Sequence, residues 1–164
     1  MKGREHTMSP NLKPLSAAQS AQRARQQQRL AGKVALVTGV GNGIGRAIAL
    51  MFARQGASAV GCDLDADAAT RTAPTARAES LALDVVAPLD LTRESEVERV
   101  VAEAVSRHGG LYILVNPAAF CHFEWIDKMT LEQWRTSLAG ELDLVFLPAA
   151  PRGRIWWPAA AARS

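Results

Sequence analysis

The turn Thr38-Gly-Val-Gly-Asn-Gly-Ile-Gly45 offers the chemistry of bare backbone. Its glycines let the chain bend tightly and bring main-chain N–H groups against a ligand. A helix opening at that point aims its free first-turn N–H groups and its positive dipole end at the same place, which makes a cradle for a phosphate. Asp63, 24 residues after Gly39, adds a carboxylate where a dinucleotide site places its ribose-binding acid. Asp90 follows a third apolar stretch, with Asp84 as the competing acid, and Asn116 ends a fourth. Cys62 and Cys121 are far apart and lack metal-ligand spacing, so no metal site is expected. His108 reads as a surface residue at a helix end, and His122 and Glu124 as polar loop residues rather than an acid–base pair.

These residues need a strand–turn–helix scaffold, and the hydrophobic pattern supplies one. A strand over 33–38 leads into a helix over 43–55, whose apolar stripe is Ile44, Ala47, Ile48, Met51 and Phe52. A second strand over 58–62 contains Cys62 as a small buried hydrophobe, and a short helix lies within 65–73. The third strand is expected at 79–83, with residues 85–89 as a loop. Thr92 then caps a helix with core positions Val97, Val100, Val101, Ala104 and Val105, stopped by His108-Gly-Gly110. The fourth strand spans 111–115 and expects cover on both faces. After a loop over 116–129, Thr130-Leu-Glu-Gln133 has the spacing of a capping box for a helix running to about 147. Phe123, Trp125 and Trp134 are expected to pack this loop and helix. Right-handed βαβ connections make an α/β parallel sheet in the order 3-2-1-4.

Thr38, Gly39, Gly43, Ile44 and Gly45 match every fixed position of Thr-Gly-x-x-x-Gly-Ile-Gly, and the chain here resembles the short-chain dehydrogenase/reductase family. The likeness extends over residues 30–147 and implies a partial Rossmann (doubly wound) sheet lacking its C-terminal strands. It implies cofactor contacts at Gly39, Asn42, Gly43, Ile44, Gly45, Asp63, Leu64, Asp90, Leu91, Asn116 and Ala118. Asp63 would accept both hydroxyls of the adenosine ribose and repel a 2′-phosphate, which favours NAD over NADP. The family's Asn-Asn-Ala-Gly is Asn116-Pro-Ala-Ala119 here, and its helix-five asparagine aligns with Glu141. The family's reaction uses an upstream Ser and a Tyr-x-x-x-Lys pair for proton transfer. Tyr112 is the sole tyrosine and has Asn116 four residues on, so no catalytic residues are assigned.

Net charge is +3, but residues 1–32 carry +5, residues 33–150 carry −5 and residues 151–164 carry +3. The central acidic domain argues against a specific nucleic-acid face. Residues 1–29 read as a flexible basic leader, 30–147 as the incomplete dinucleotide-binding domain, and 148–164 as an irregular Ala/Pro/Arg tail. The tail suggests a truncated or frame-shifted relative, with a genuinely divergent C-terminus as the alternative. No apolar run approaches the roughly 18 residues of a membrane span, and a reducing cytoplasm suits two unpaired cysteines. The expected partners are a dinucleotide, a small-molecule substrate only in a full-length form, and another copy or relative through helix 131–147. Three readings follow: an NAD-dependent oxidoreductase lineage inactive as this chain, a noncatalytic NAD-binding fragment, and a non-functional pseudogene product.

Overall fold

The computed structural model describes residues 16, 18–20, 22 and 28–150. Most of the leader and tail expectations therefore lie outside the described residues. Four parallel strands, β1 (Val34–Thr38), β2 (Ser58–Cys62), β3 (Leu83–Val86) and β4 (Ile113–Val115), form one sheet in the order β3-β2-β1-β4. This is the expected order. β1 is buried along its whole length, as a central parallel strand covered on both faces should be. One side of the core joins Leu36 and Cys62 to Leu89, Val97, Val100, Val101, Leu111 and Leu144. The other joins Val37, Val40 and Ala49, with Ile48, Phe52, Val85 and Val115 packed against them. β4 thus contacts both layers, Leu114 the first and Val115 the second.

Helix α1 (Gly43–Arg54) follows β1, but its buried face is not the expected stripe. Gly45, Ala49, Leu50 and Ala53 are buried, whereas Ile44 is 72% and Met51 45% exposed. The reason is close approach: a Cβ on Gly45 would collide with the Gly39 carbonyl oxygen. The close approach falls at a glycine, and of the expected stripe Ile48 and Phe52 pack, half-buried, against Val37, Val40 and Ala49.

Helix α2 (Ala66–Ala78) is longer than the sequence suggests and contains Pro74. Its alanines sustain it, and the chain then reverses through Ser80 (φ 54°) with Leu81 N–H donating to the Ala76 carbonyl. That reversal delays the third strand. β3 runs over 83–86 instead of 79–83, and Val85 and Val86, expected in a loop, pair with Gly61 and Cys62.

Helix α3 (Glu94–His108) buries Val97, Val100, Val101 and Ala104 and ends at Gly109, whose φ of 80° needs a glycine. Thr92 is not its cap. Arg93 holds that position without a side-chain capping bond, because Thr92 is drawn into a turn with Asp90. Thr130 and Gln133 do form the reciprocal capping box of helix α4 (Leu131–Leu138).

Beyond α4 the expected continuous helix widens into a π turn (Ala139–Asp143) before α5 (Leu144–Ala149). Gly140 marks the cause. The Phe120 carbonyl lies where its Cβ would be, and Phe120 N–H donates to the Gly140 carbonyl at 3.0 Å. The aromatics expected to pack here do not: Phe123 is 95%, Trp125 75% and Trp134 47% exposed.

Candidate cofactor site

All the chemistry-bearing loops gather at the C-terminal edge of the sheet, the edge at which open parallel sheets bind ligands. The cleft there encloses about 400 Å³ between the glycine turn, the Asp63 and Asp90 loops, and the segment after β4. The π turn forms the opposite wall through Ala139 and Gly140.

The turn is shaped for close contact. Gly39 (φ 66°) and Gly43 (φ 50°) adopt the left-handed region that favours glycine. A Cβ on Gly39 would lie 3.1 Å from the backbone of Ala118, so the β1 and β4 loops touch. Thr38 clasps them further: its buried hydroxyl oxygen accepts the Ala118 N–H at 3.2 Å. Asn42 is the N-cap of α1 by backbone geometry, yet its side chain makes no capping bond. Its Oδ1 accepts from the Arg71 guanidinium at 3.0 Å instead, which leaves the first turn of α1 without a side-chain cap. That first turn also carries no acidic residue. The arrangement suits an anion.

Asp63 stands at the end of β2 beside this turn. Its Oδ2 accepts the Gly41 N–H at 2.7 Å and its Oδ1 accepts the Asp65 N–H at 2.8 Å. Each oxygen keeps a further lone pair for a ligand hydroxyl. Asp90 also lines the cleft, but its carboxylate is engaged within its own loop. Oδ1 accepts from the hydroxyl and N–H of Thr92, and Oδ2 from Arg93. The Thr92 bonds, with a smaller contribution from Arg93, hold its carboxyl below the usual range. Its competitor Asp84 lies away from the cleft, on β3, paired with Arg107 at 3.4 Å.

Among the expected contacts, Gly39, Asn42, Asp63, Leu64, Asp90, Leu91 and Ala118 line the cleft together. Gly43, Ile44, Gly45 and Asn116 do not line it. Gly45 is buried beneath the turn, Ile44 projects outward, and the Asn116 Oδ1 is buried without a hydrogen-bond partner. Sequence reasoning missed Phe120, Thr136 and the π-turn wall; an interior helix glycine at 140 was the one available signal. Tyr112 is remote from the cleft. Its N–H donates to Val34, at the opposite end of β1, and Lys33 Nζ sits 4.8 Å from its ring centroid. Burial, with the Asp63 charge, pushes the Cys62 thiol up to about 12, and Cys121 is raised by desolvation and Glu141. Neither is a poised nucleophile. No helix among the described residues is long and apolar enough to cross a membrane.

A parallel sheet of this order with a glycine turn and a pinned carboxylate at its C-terminal edge defines a partial doubly wound α/β fold. Residues 33–149 match the short chain dehydrogenase family, and the chain belongs to that family. It is 39% identical over 106 residues to a sorbitol dehydrogenase of Cereibacter sphaeroides, covering 65% of this chain and 40% of the relative. A solved short-chain dehydrogenase/reductase from Burkholderia xenovorans superposes with a TM-score of 0.70 at 36% identity, covering 74% of this chain and 50% of the other. The structure of actinorhodin polyketide ketoreductase with NADPH gives 0.67 at 28% identity, covering 71% and 44%. The chain spans about half the length of the relatives it matches.

Proposed function

We propose that these 164 residues form the dinucleotide-binding half of an oxidoreductase, that they hold NAD, and that alone they transfer no hydride. The supporting observation is Asp63, whose two oxygens are each anchored by one backbone N–H beside the uncapped first turn of α1. A carboxylate so placed accepts the vicinal hydroxyls of an adenosine ribose and repels a 2′-phosphate, which argues for NAD over NADP. Gly39 and Gly43 bring the backbone to the pyrophosphate, with Ile44 N–H in the same first turn, and Gly45 lets α1 close onto the Gly39 carbonyl beneath them. Asn42, Leu64, Asp90, Leu91 and Ala118, which line the cleft, complete the proposed contacts, and Asn116 lies behind them. Nicotinamide supplies a hydride donor or acceptor when bound. The chain itself has no Tyr-x-x-x-Lys pair to move the accompanying proton, and Tyr112 is at the wrong end of the sheet. Loss of general acid–base catalysis alone costs about 10²–10⁴-fold in rate.

A companion surface supports the oligomer reading. Leu131, Trp134, Leu138, Leu142, Val145 and Phe146 are all more than a third exposed along one helical segment. Soluble monomers rarely leave a contiguous apolar surface of this kind uncovered, so we assign it to a second copy or an intact relative. Free Cys62 and Cys121 suit a reducing cytoplasm.

Calorimetric titration tests the reading. The wild-type chain should bind NAD saturably and more tightly than NADP, and Gly43→Val and Asp63→Ala should each weaken NAD at least about tenfold, as expected for lost hydrogen bonds to a charged group. Folded wild-type protein that takes up no NAD would remove it.

A further inference from the structure

Gly41 differs from Gly39 and Gly43 of the turn. Gly39 and Gly43 have positive φ, whereas Gly41 does not, so nothing in its backbone conformation demands glycine. Space does. A Cβ at this buried position would come within 2.5 Å of the Ala68 Cβ, 3.1 Å of the Ala68 carbonyl carbon and 3.0 Å of Asp63 Oδ2. Ala68 cannot easily yield. It is 1% exposed, in the first turn of α2, and its N–H is tied to the Asp65 side chain at 2.9 Å. Asp65 N–H in turn holds the other oxygen of Asp63. The glycine turn, the Asp63 carboxylate and the start of α2 are therefore one connected unit, closed where Gly41 meets Ala68.

We propose that Gly41 is a positioning residue for cofactor discrimination: its N–H sets the rotation of the Asp63 carboxylate, and its lack of a side chain lets the turn seat against Ala68. The inference rests on the NAD reading above and assigns to Gly41 the geometry that makes Asp63 selective. With Oδ2 held by Gly41 and Oδ1 by Asp65, the two remaining lone pairs point to neighbouring hydroxyls rather than rotating freely. A displaced turn frees Oδ2, so the carboxylate loses its match to the ribose diol and part of its opposition to a 2′-phosphate.

The test compares NAD and NADP dissociation constants in four chains. Gly41→Ala should weaken NAD about tenfold, the scale of one hydrogen bond to a charged group, and weaken NADP less, so the NAD preference falls. Adding Ala68→Gly to Gly41→Ala removes the nearest wall and should restore most of the preference. Adding Ala69→Gly instead makes the same helix substitution without relieving the contact and should restore none of it. A Gly41→Ala chain that keeps the wild-type NAD:NADP ratio, or equal recovery from both second substitutions, overturns the inference while leaving the NAD reading intact. Wild-type protein that binds neither dinucleotide overturns both. Amide hydrogen exchange without cofactor checks the anchor independently of any Gly41 variant. The Gly41 amide should exchange at least several-fold faster in Asp63→Ala than in wild type, and equal rates would refute the anchoring.

Discussion

At the scale of single residues, the site works by holding charged groups with backbone donors. Asp63 faces the cleft with both oxygens anchored, whereas Asp90 directs its oxygens to Thr92 and Arg93. The two acids therefore have different consequences. Because the folded-state pKa of Asp90 is depressed, its ionised form stabilises the fold above the unfolded value of about 3.9. That contribution is lost as pH falls through the lower folded value. The stability gap between wild type and Asp90→Asn should be present at neutral pH and close in acid, read by urea denaturation; a gap independent of pH would contradict it. The cysteines separate as sharply. Cys62 is fully buried with its thiol raised to about 12, while Cys121 is only half-buried. A thiol reagent should label one equivalent in the native chain and the second only after unfolding, and two native equivalents would show that β2 opens.

At the scale of elements, close approaches decide where helices bend and which faces they bury. Gly140 admits the Phe120 carbonyl and Gly109 supplies a left-handed stop. Gly140→Ala should cost on the order of 1–3 kcal/mol, as overpacking does, and Gly109→Ala about 1 kcal/mol from φ alone. Thermal denaturation should rank Gly140→Ala as the more damaging, and the reverse order would show that the π turn yields easily. The sheet order, α3's valine stripe and the Thr130–Gln133 capping box were legible because each follows from local pattern. The position of β3 was not. The Ala-rich stretch through Ala78 kept its helical preference past Pro74, and the strand formed on Val85 and Val86 after the turn. The face of α1 was misread for another reason. Hydrophobicity marks Ile44 and Met51, but the close approach to Gly39 falls at Gly45, and both of those side chains stay exposed. Within the site, Asp63 and the glycine turn could be read from spacing, while Gly41's contact with Ala68 spans two loops and leaves no local trace.

At the scale of the whole molecule, the four strands and their helices place the candidate site in a cleft at the C-terminal edge of the sheet and leave a long apolar surface on α4, the π turn and α5. That surface includes Trp134 at 47% and Phe146 at 65% exposure. If a second copy covers it, the wild-type chain should sediment as a dimer at micromolar concentration and Trp134→Ser/Phe146→Ser as a monomer. Equal sedimentation would place the contact elsewhere or deny it. The central claim concerns the cleft, and a crystal structure of the chain grown with NAD tests it most directly. The account predicts the adenosine ribose with its two hydroxyls about 2.6–3.0 Å from Asp63 Oδ1 and Oδ2, ordinary distances for charge-assisted bonds, and the pyrophosphate over the first turn of α1. A dinucleotide bound with its ribose away from Asp63, or seated outside the cleft, would contradict it.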